Sequence, residues 1–229
     1  MKVQLLLTCL GDALYGSVGI ATVRVLEAAG HEVVFPENQT CCGQPPFNAG
    51  HWPEAQRVAA HLRATFDPAA AIVTPSASCA AMIRHGYDQL DRGPELPCFE
   101  LTEFLAKHGA PKFRLKSPRR VAVHTACHGR MIGLGTTAEH VVAGIEGVDL
   151  VPVGEPEQCC GFGGAFAATH THLSAGIADA KLIHLQACRA DEVVSTDLGC
   201  LLHLQGRGQF TGAEVRLRHV AELLAEALP

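Results

Sequence analysis

The chain has 229 residues and a net charge of −5, which leaves nucleic acid and anionic membrane surfaces without electrostatic support as partners. With 48% of residues hydrophobic it can bury an ample core, and no stretch is long and apolar enough to span a bilayer. Its ten cysteines call for either a disulfide framework or a metal. The N-terminal segment MKVQLLLTCLGDALYG imitates an export signal, but Asp12 interrupts its apolar run and Cys9 has a repeat partner deep in the chain. A cytoplasmic protein is therefore expected, in which thiols stay reduced and available to metals.

Taken in order, the elements recur. An apolar strand, Val3 to Leu7, runs into Cys9, and a helix over Val18–Ala29 follows, with Gly30 as its stop signal. A second strand, His31 to Phe35, leads to Cys41-Cys42-Gly43; a helix over Pro53–Phe66 and a strand over Ala71–Thr74 then deliver Cys79. Cys98 to Leu101 and a helix over Thr102–His108 close the first half. The stretch GAPKFRLKSPRR (109–120), with two prolines and a run of basic residues, reads as an exposed linker. Beyond it the order repeats. Val121 to Val123 precedes Cys127, Val148 to Val151 precedes Cys159-Cys160-Gly161, a helix covers Thr171–Cys188, and Glu192 to Ser195 delivers Cys200. Val215 to Arg218 and a helix over Val220–Ala227 end the chain. Strands alternating with helices predict an α/β fold: two similar tandem domains, 1–112 and 113–229, each a small mostly parallel sheet flanked by helices, related by approximate two-fold symmetry.

Cys9 and Cys41 lie 32 residues apart, as do Cys127 and Cys159, and a fourth cysteine follows each pair at similar distance. Eight cysteines thus belong to a duplicated pattern, and thiolates are the ligands that zinc and iron–sulfur clusters select. In parallel sheets ligands gather beyond the carboxyl ends of strands, where the first and fourth cysteines of each half fall. Neighbouring side chains on an extended segment point apart, so an adjacent pair serves one site only through a turn, which the following glycine supplies. A lone zinc is usually gripped by cysteines spaced two to four apart; adjacent pairs favour the several irons of a cluster.

The segments CCGQPPFNAG (41–50), TPSASCAAMI (74–83), HTACHGRM (124–131), CCGFGGAF (159–166) and STDLGCLLHL (195–204) resemble the cysteine-rich CCG domains of heterodisulfide reductases, and most of all the lactate utilization protein A family. The resemblance implies an iron–sulfur electron-transfer subunit of an L-lactate-oxidising complex, an oxidoreductase component that works beside a larger iron–sulfur subunit and a third small one. The implied ligands are Cys9, Cys41, Cys42 and Cys79 for one cluster, of [4Fe-4S] type, and Cys127, Cys159, Cys160 and Cys200 for the other. In the heterodisulfide reductase relatives a fifth cysteine opens a C-x-x-C motif in each half. Here Ser76 and Asp197 stand in its place, and their oxygens are candidate substitute ligands. Two alternatives stay open: a zinc-stapled scaffold of an oxidoreductase, and a heterodisulfide or thiol reductase subunit.

Cys98 and Cys188 fall outside the repeat and are expected as buried structural thiols. His128, next to Cys127, is a candidate for protonating a substrate or cluster sulfur; the commoner part for such a histidine, and for His203, is hydrogen bonding. Gly161-Phe162-Gly163-Gly164 lacks the spacing of a dinucleotide or phosphate loop and is expected to bring backbone close to the metal. Asp12 and Asp179 are expected as solvated surface residues.

Overall fold

Two four-stranded parallel sheets organise the computed structural model, which describes residues 1–91 and 93–229. The first contains β1 (Lys2–Leu5), β2 (Glu32–Val34), β3 (Ala71–Thr74) and β4 (Cys98–Glu100) in the order β2-β1-β3-β4. The second contains β5 (Arg114–His124), β6 (Glu146–Leu150), β7 (Glu192–Ser195) and β8 (Leu217–His219) in the order β6-β5-β7-β8. All six strand pairings are parallel. The expected α/β architecture of two similar units is what the chain adopts, and the strand order reverses between β1 and β3, and again between β5 and β7. Loops that leave neighbouring strands on opposite sides open a crevice at such a point.

The helices are α1 (Cys9–Leu14), α2 (Gly16–Ala28), α3 (Gln44–Asn48), α4 (Trp52–Thr65), α5 (Ala77–Ala81), α6 (Tyr87–Leu90) and α7 (Leu101–His108) in the first half. The second half has α8 (Cys127–Met131), α9 (Thr137–Ala143), α10 (Ala165–Thr169), α11 (Thr171–Ala187), α12 (Leu198–Thr211) and α13 (Val220–Glu226). Helix α2 buries Val18, Ala21, Val25 and Leu26 along one face, the stripe that an amphipathic helix turns toward its core.

Cross-packing between the halves obeys a pseudo-two-fold relation. Helix α2 packs on α13 and its counterpart α9 packs on α7; α5 meets α8, and α12 meets α1. One buried cluster joins Val3, Val18, Val25 and Phe104 to Val121, Val142 and Leu223, and a second joins Leu6 and Ile72 to Ala122 and Val193. Both cores therefore run through both halves. Polar ties cross as well: Ser17 Oγ donates to Glu222 Oε1 (2.8 Å) and Tyr15 OH to Gln205 Oε1 (2.9 Å).

One expectation is corrected. Only the first part of 109–120 is a connector, because β5 already starts at Arg114. Buried Phe113 and Leu115 anchor that end, Arg114 pairs with Glu146, and the register with β6 breaks between Arg114 and Arg119. Pro118 falls inside the break, where a residue without an N–H costs the ladder nothing.

Candidate metal centre

Both cysteine sets are assembled by the same local devices. Cys9 opens α1 just after β1, and Cys127 opens α8 just after β5. Cys79 and Cys200 sit in the first turns of α5 and α12, beyond β3 and β7. The adjacent pairs arrive on loops that turn at Gly43 (φ +88°) and Gly161 (φ +89°). At Gly161 an added Cβ would lie 2.5 Å from Ser174 O and 3.1 Å from Ile177 Cβ; at Gly43 it would lie 3.3 Å from Val58 Cγ1. Positive φ and close approach to the following helix both require glycine there. The turn also aims backbone at sulfur: Gly43 N–H donates to Cys41 Sγ (3.4 Å) and Gly161 N–H to Cys159 Sγ (3.3 Å).

Within each set the thiols form a chain in sequence order. Cys9 Sγ is 3.7 Å from Cys41 Sγ, and Cys42 is hydrogen-bonded to both Cys41 and Cys79. Cys127 and Cys159 are bonded likewise, and Cys160 Sγ lies 2.9 Å from Cys200 Sγ. Thiol donation from Cys42 and Cys9 pulls Cys41 down to about 3, and donation from Cys127 and Cys160 pulls Cys159 far down too. The donors move the opposite way: Cys9 and Cys127 are pushed up by giving their protons to those neighbours and by burial. In each set one thiol is thus drawn toward losing its proton while the neighbour that donates to it is held the other way. A cation entering such a set would displace the remaining protons.

All eight of these cysteines line one cavity of about 180 Å³, together with Ser76, Asp197, His128 and Phe162. Both sets therefore open on a common space. Sulfur-rich donors, buried backing and glycine-made close approach suit thiophilic metals, so the residues present fit a metal or cluster.

The remaining sequence candidates are placed as follows. Ser76 caps α5, accepting from Cys79 N–H (3.1 Å). Asp197 caps α12 through Oδ1, from Gly199 N–H (3.1 Å), while Oδ2 accepts from Ser78 N–H (2.9 Å) and Ser76 Oγ (3.2 Å) of the other half. Their oxygens are engaged in holding the halves together above the cavity. His128 lies 3.8 Å from Cys127 Sγ through Nδ1 and 3.1 Å from Gln44 Nε2 through Nε2. His203 bonds Ser174 Oγ (3.0 Å). Cys98 is buried as expected, whereas Cys188 is only half-buried at the end of α11. Asp179 is not free on the surface: Arg207 grips it with two bonds (2.6 and 2.7 Å).

Two residues that sequence reasoning passed over back the second set. His124 ends β5 with a side chain only 1% exposed, and its imidazole lies within 4.8 Å of both the Cys160 and Cys200 sulfurs. Burial and the nearby Lys181 charge push it down to about 4, so the ring is neutral. Lys181, fully buried on α11, donates to Glu155 O (3.0 Å). The first half carries Leu6 and Leu62 at the matching places, both buried. Two aliphatic positions in one copy of a repeat that turn basic in the other were the available signal.

The profile of the CCG cysteine-rich domain matches residues 3–84 and 121–205. The chain belongs to the CCG cysteine-rich domain family. Among CCG proteins, lactate utilization protein A of Geobacillus thermodenitrificans (strain NG80-2) is 38% identical, covering 98% of each chain. Lactate utilization protein A 2 of Bacillus cereus (strain Q1) is 34% identical, covering 100% of this chain and 99% of its own. A crystal structure of a hypothetical protein from Helicobacter pylori shares the fold, with TM-score 0.63 at 10% identity. This CCG chain matches all of its own length there but about half (49%) of that protein. No helix among the described residues is long and apolar enough to cross a membrane.

Proposed function

We propose that the chain is the iron–sulfur electron-transfer subunit of a lactate-oxidising complex, with Cys9, Cys41, Cys42 and Cys79 holding one centre and Cys127, Cys159, Cys160 and Cys200 the other. The observation that carries this reading is the convergence of both sets on one small cavity. Two redox sites facing each other suit a path that accepts electrons at one and passes them from the other. The names of full-length relatives, lactate utilization protein A, supply the substrate. Adjacent cysteines in each set favour a multi-iron group such as [4Fe-4S] over a single tetrahedral zinc.

When bound, such a group supplies one-electron transfer. The chain's own residues supply the thiolates and the turns at Gly43 and Gly161 that bring N–H groups to sulfur. Hydrogen bonds to sulfur and burial are the protein's means of setting reduction potential. Hydride removal from lactate falls to a partner, because the chain carries no flavin or nicotinamide fingerprint. The partners in this reading are a larger iron–sulfur subunit and a third small one, in the cytoplasm, where thiols remain reduced.

Lactate-dependent dye reduction by the reconstituted complex tests the proposal. Cys42→Ser and Cys160→Ser should each abolish electron flow while circular dichroism stays close to that of the parent protein. Full activity in both variants would remove the metal role; outright unfolding would favour a structural zinc, whose binding is itself folding free energy.

A further inference from the structure

His124 stands out among the buried polar groups because nothing in the fold uses it. Its ring is 1% exposed, and neither Nδ1 nor Nε2 has a hydrogen-bond partner among the described residues. An imidazole always carries at least one donor nitrogen, so such burial sacrifices its hydration with no return. The backbone holds it firmly: His124 pairs with Ser195 across the sheet, and Ser195 Oγ donates to its carbonyl (2.9 Å). The side chain is held beside the sulfurs of Cys160 and Cys200, all ligand atoms within 4.8 Å of one another.

The internal repeat supplies a control. Leu6 follows β1 as His124 ends β5, and each stands three residues before the first cysteine of its set. The fold therefore accepts an aliphatic side chain at this point and gains core packing from it. Histidine there forfeits that packing, which is sensible only if a nitrogen is needed at the site. Imidazole and thiolate together form a recurrent ligand set for zinc and for iron–sulfur centres. Neither His128 nor His203 has the same claim, since each already has a polar partner in Gln44 or Ser174.

We infer that His124 is a nitrogen ligand of the second metal centre, so that this half binds through sulfur and imidazole while the first binds through sulfur alone. The inference rests on the proposed metal role of the two cysteine sets. It makes the two centres chemically unequal: one neutral nitrogen ligand enters the second site, and the first has none.

The test uses full-length protein labelled with 15N-histidine in a Cys42→Ser background, which leaves the second site as the metal carrier. Metal and sulfide content is measured first, then pulsed electron paramagnetic resonance if iron is bound. X-ray absorption at the metal edge is used if zinc is. The expected result is a directly bound imidazole nitrogen that disappears in His124→Leu and persists in His128→Leu. Leucine is what the first half carries at the matching position, and circular dichroism confirms that the variant is folded. A loaded second site with no imidazole signal, or a signal lost in His128→Leu and kept in His124→Leu, overturns the assignment. Zinc in place of iron would refute the iron–sulfur reading while the same variants still decide the ligand. If His124→Leu does not fold, the labelled parent and His128→Leu decide between the two histidines.

Discussion

Leu62 and Lys181 occupy matched places in the two halves, both fully buried, and the exchange of an aliphatic chain for a cation has a cost. Burial and the nearby Arg130 charge lower Lys181's affinity for its proton, against the field of nearby cysteines, and its ammonium donates to Glu155 O. A buried ammonium carries a desolvation cost that an apolar side chain of similar size does not. Lys181→Leu should therefore keep or raise the melting temperature of the metal-free protein while the second site surrenders metal faster to a chelator. A lower melting temperature with unchanged metal retention would assign Lys181 to structure. Glu100 gives a pH prediction: burial pushes it up to about 7 from a usual 4.5, against the opposing bonds from Thr102. A raised carboxyl stabilises the fold fully below its unfolded value and loses that stabilisation as pH rises through about 7. Melting temperature should fall between about pH 5 and about pH 8, and less so in Glu100→Gln; parallel profiles would contradict it. The cysteines were legible at this scale because their spacing repeats; His124 shares that repeat with Leu6, three residues before the first cysteine of each set, whereas Lys181 aligns with Leu62 only through the burial of α4 and α11.

Most strands and the helices α2, α4 and α11 could be read from apolar runs and stop signals, with ends shifted by a residue or two as frayed termini allow, whereas α12 (Leu198–Thr211) was not assigned. The short helices could not be read: α1, α3, α8 and α10 have only five or six residues each, too few for a period to emerge. They matter nonetheless, since they carry or flank the cysteines. The start of β5 was hidden by Pro118 and its charged neighbours, which resemble a linker until Phe113 and Leu115 are seen buried. Ser76 and Asp197 were singled out by analogy as ligands, yet each stands at a helix N-cap facing the other half. Asp197→Ala removes the cap of α12 and leaves Ser78 N–H without its acceptor. Urea unfolding should register a loss of about 1–3 kcal/mol, and Ser76→Ala, which loses fewer bonds, should cost less. Equal and negligible losses would mean that the junction between halves is held by the apolar cores alone.

The two halves are copies in fold but not in surroundings. The first set includes exposed Cys9, while its counterpart Cys127 is half-buried; the second set has His124 and Lys181 behind it and the first has leucines. Oxygen and chelators should therefore strip the first site before the second, and simultaneous loss from both would contradict this asymmetry. The shared cores should keep the metal-free chain folded, since neither depends on a cysteine–metal bond. The central claim, that each cysteine set is its own iron–sulfur site, is tested most directly by iron, acid-labile sulfide and zinc content per chain after anaerobic purification. The parent protein, Cys42→Ser and Cys160→Ser are compared. The account predicts iron with matching sulfide in the parent, with each variant losing one site's share and keeping the other's. Stoichiometric zinc without sulfide, or the loss of all iron in either single variant, would contradict it.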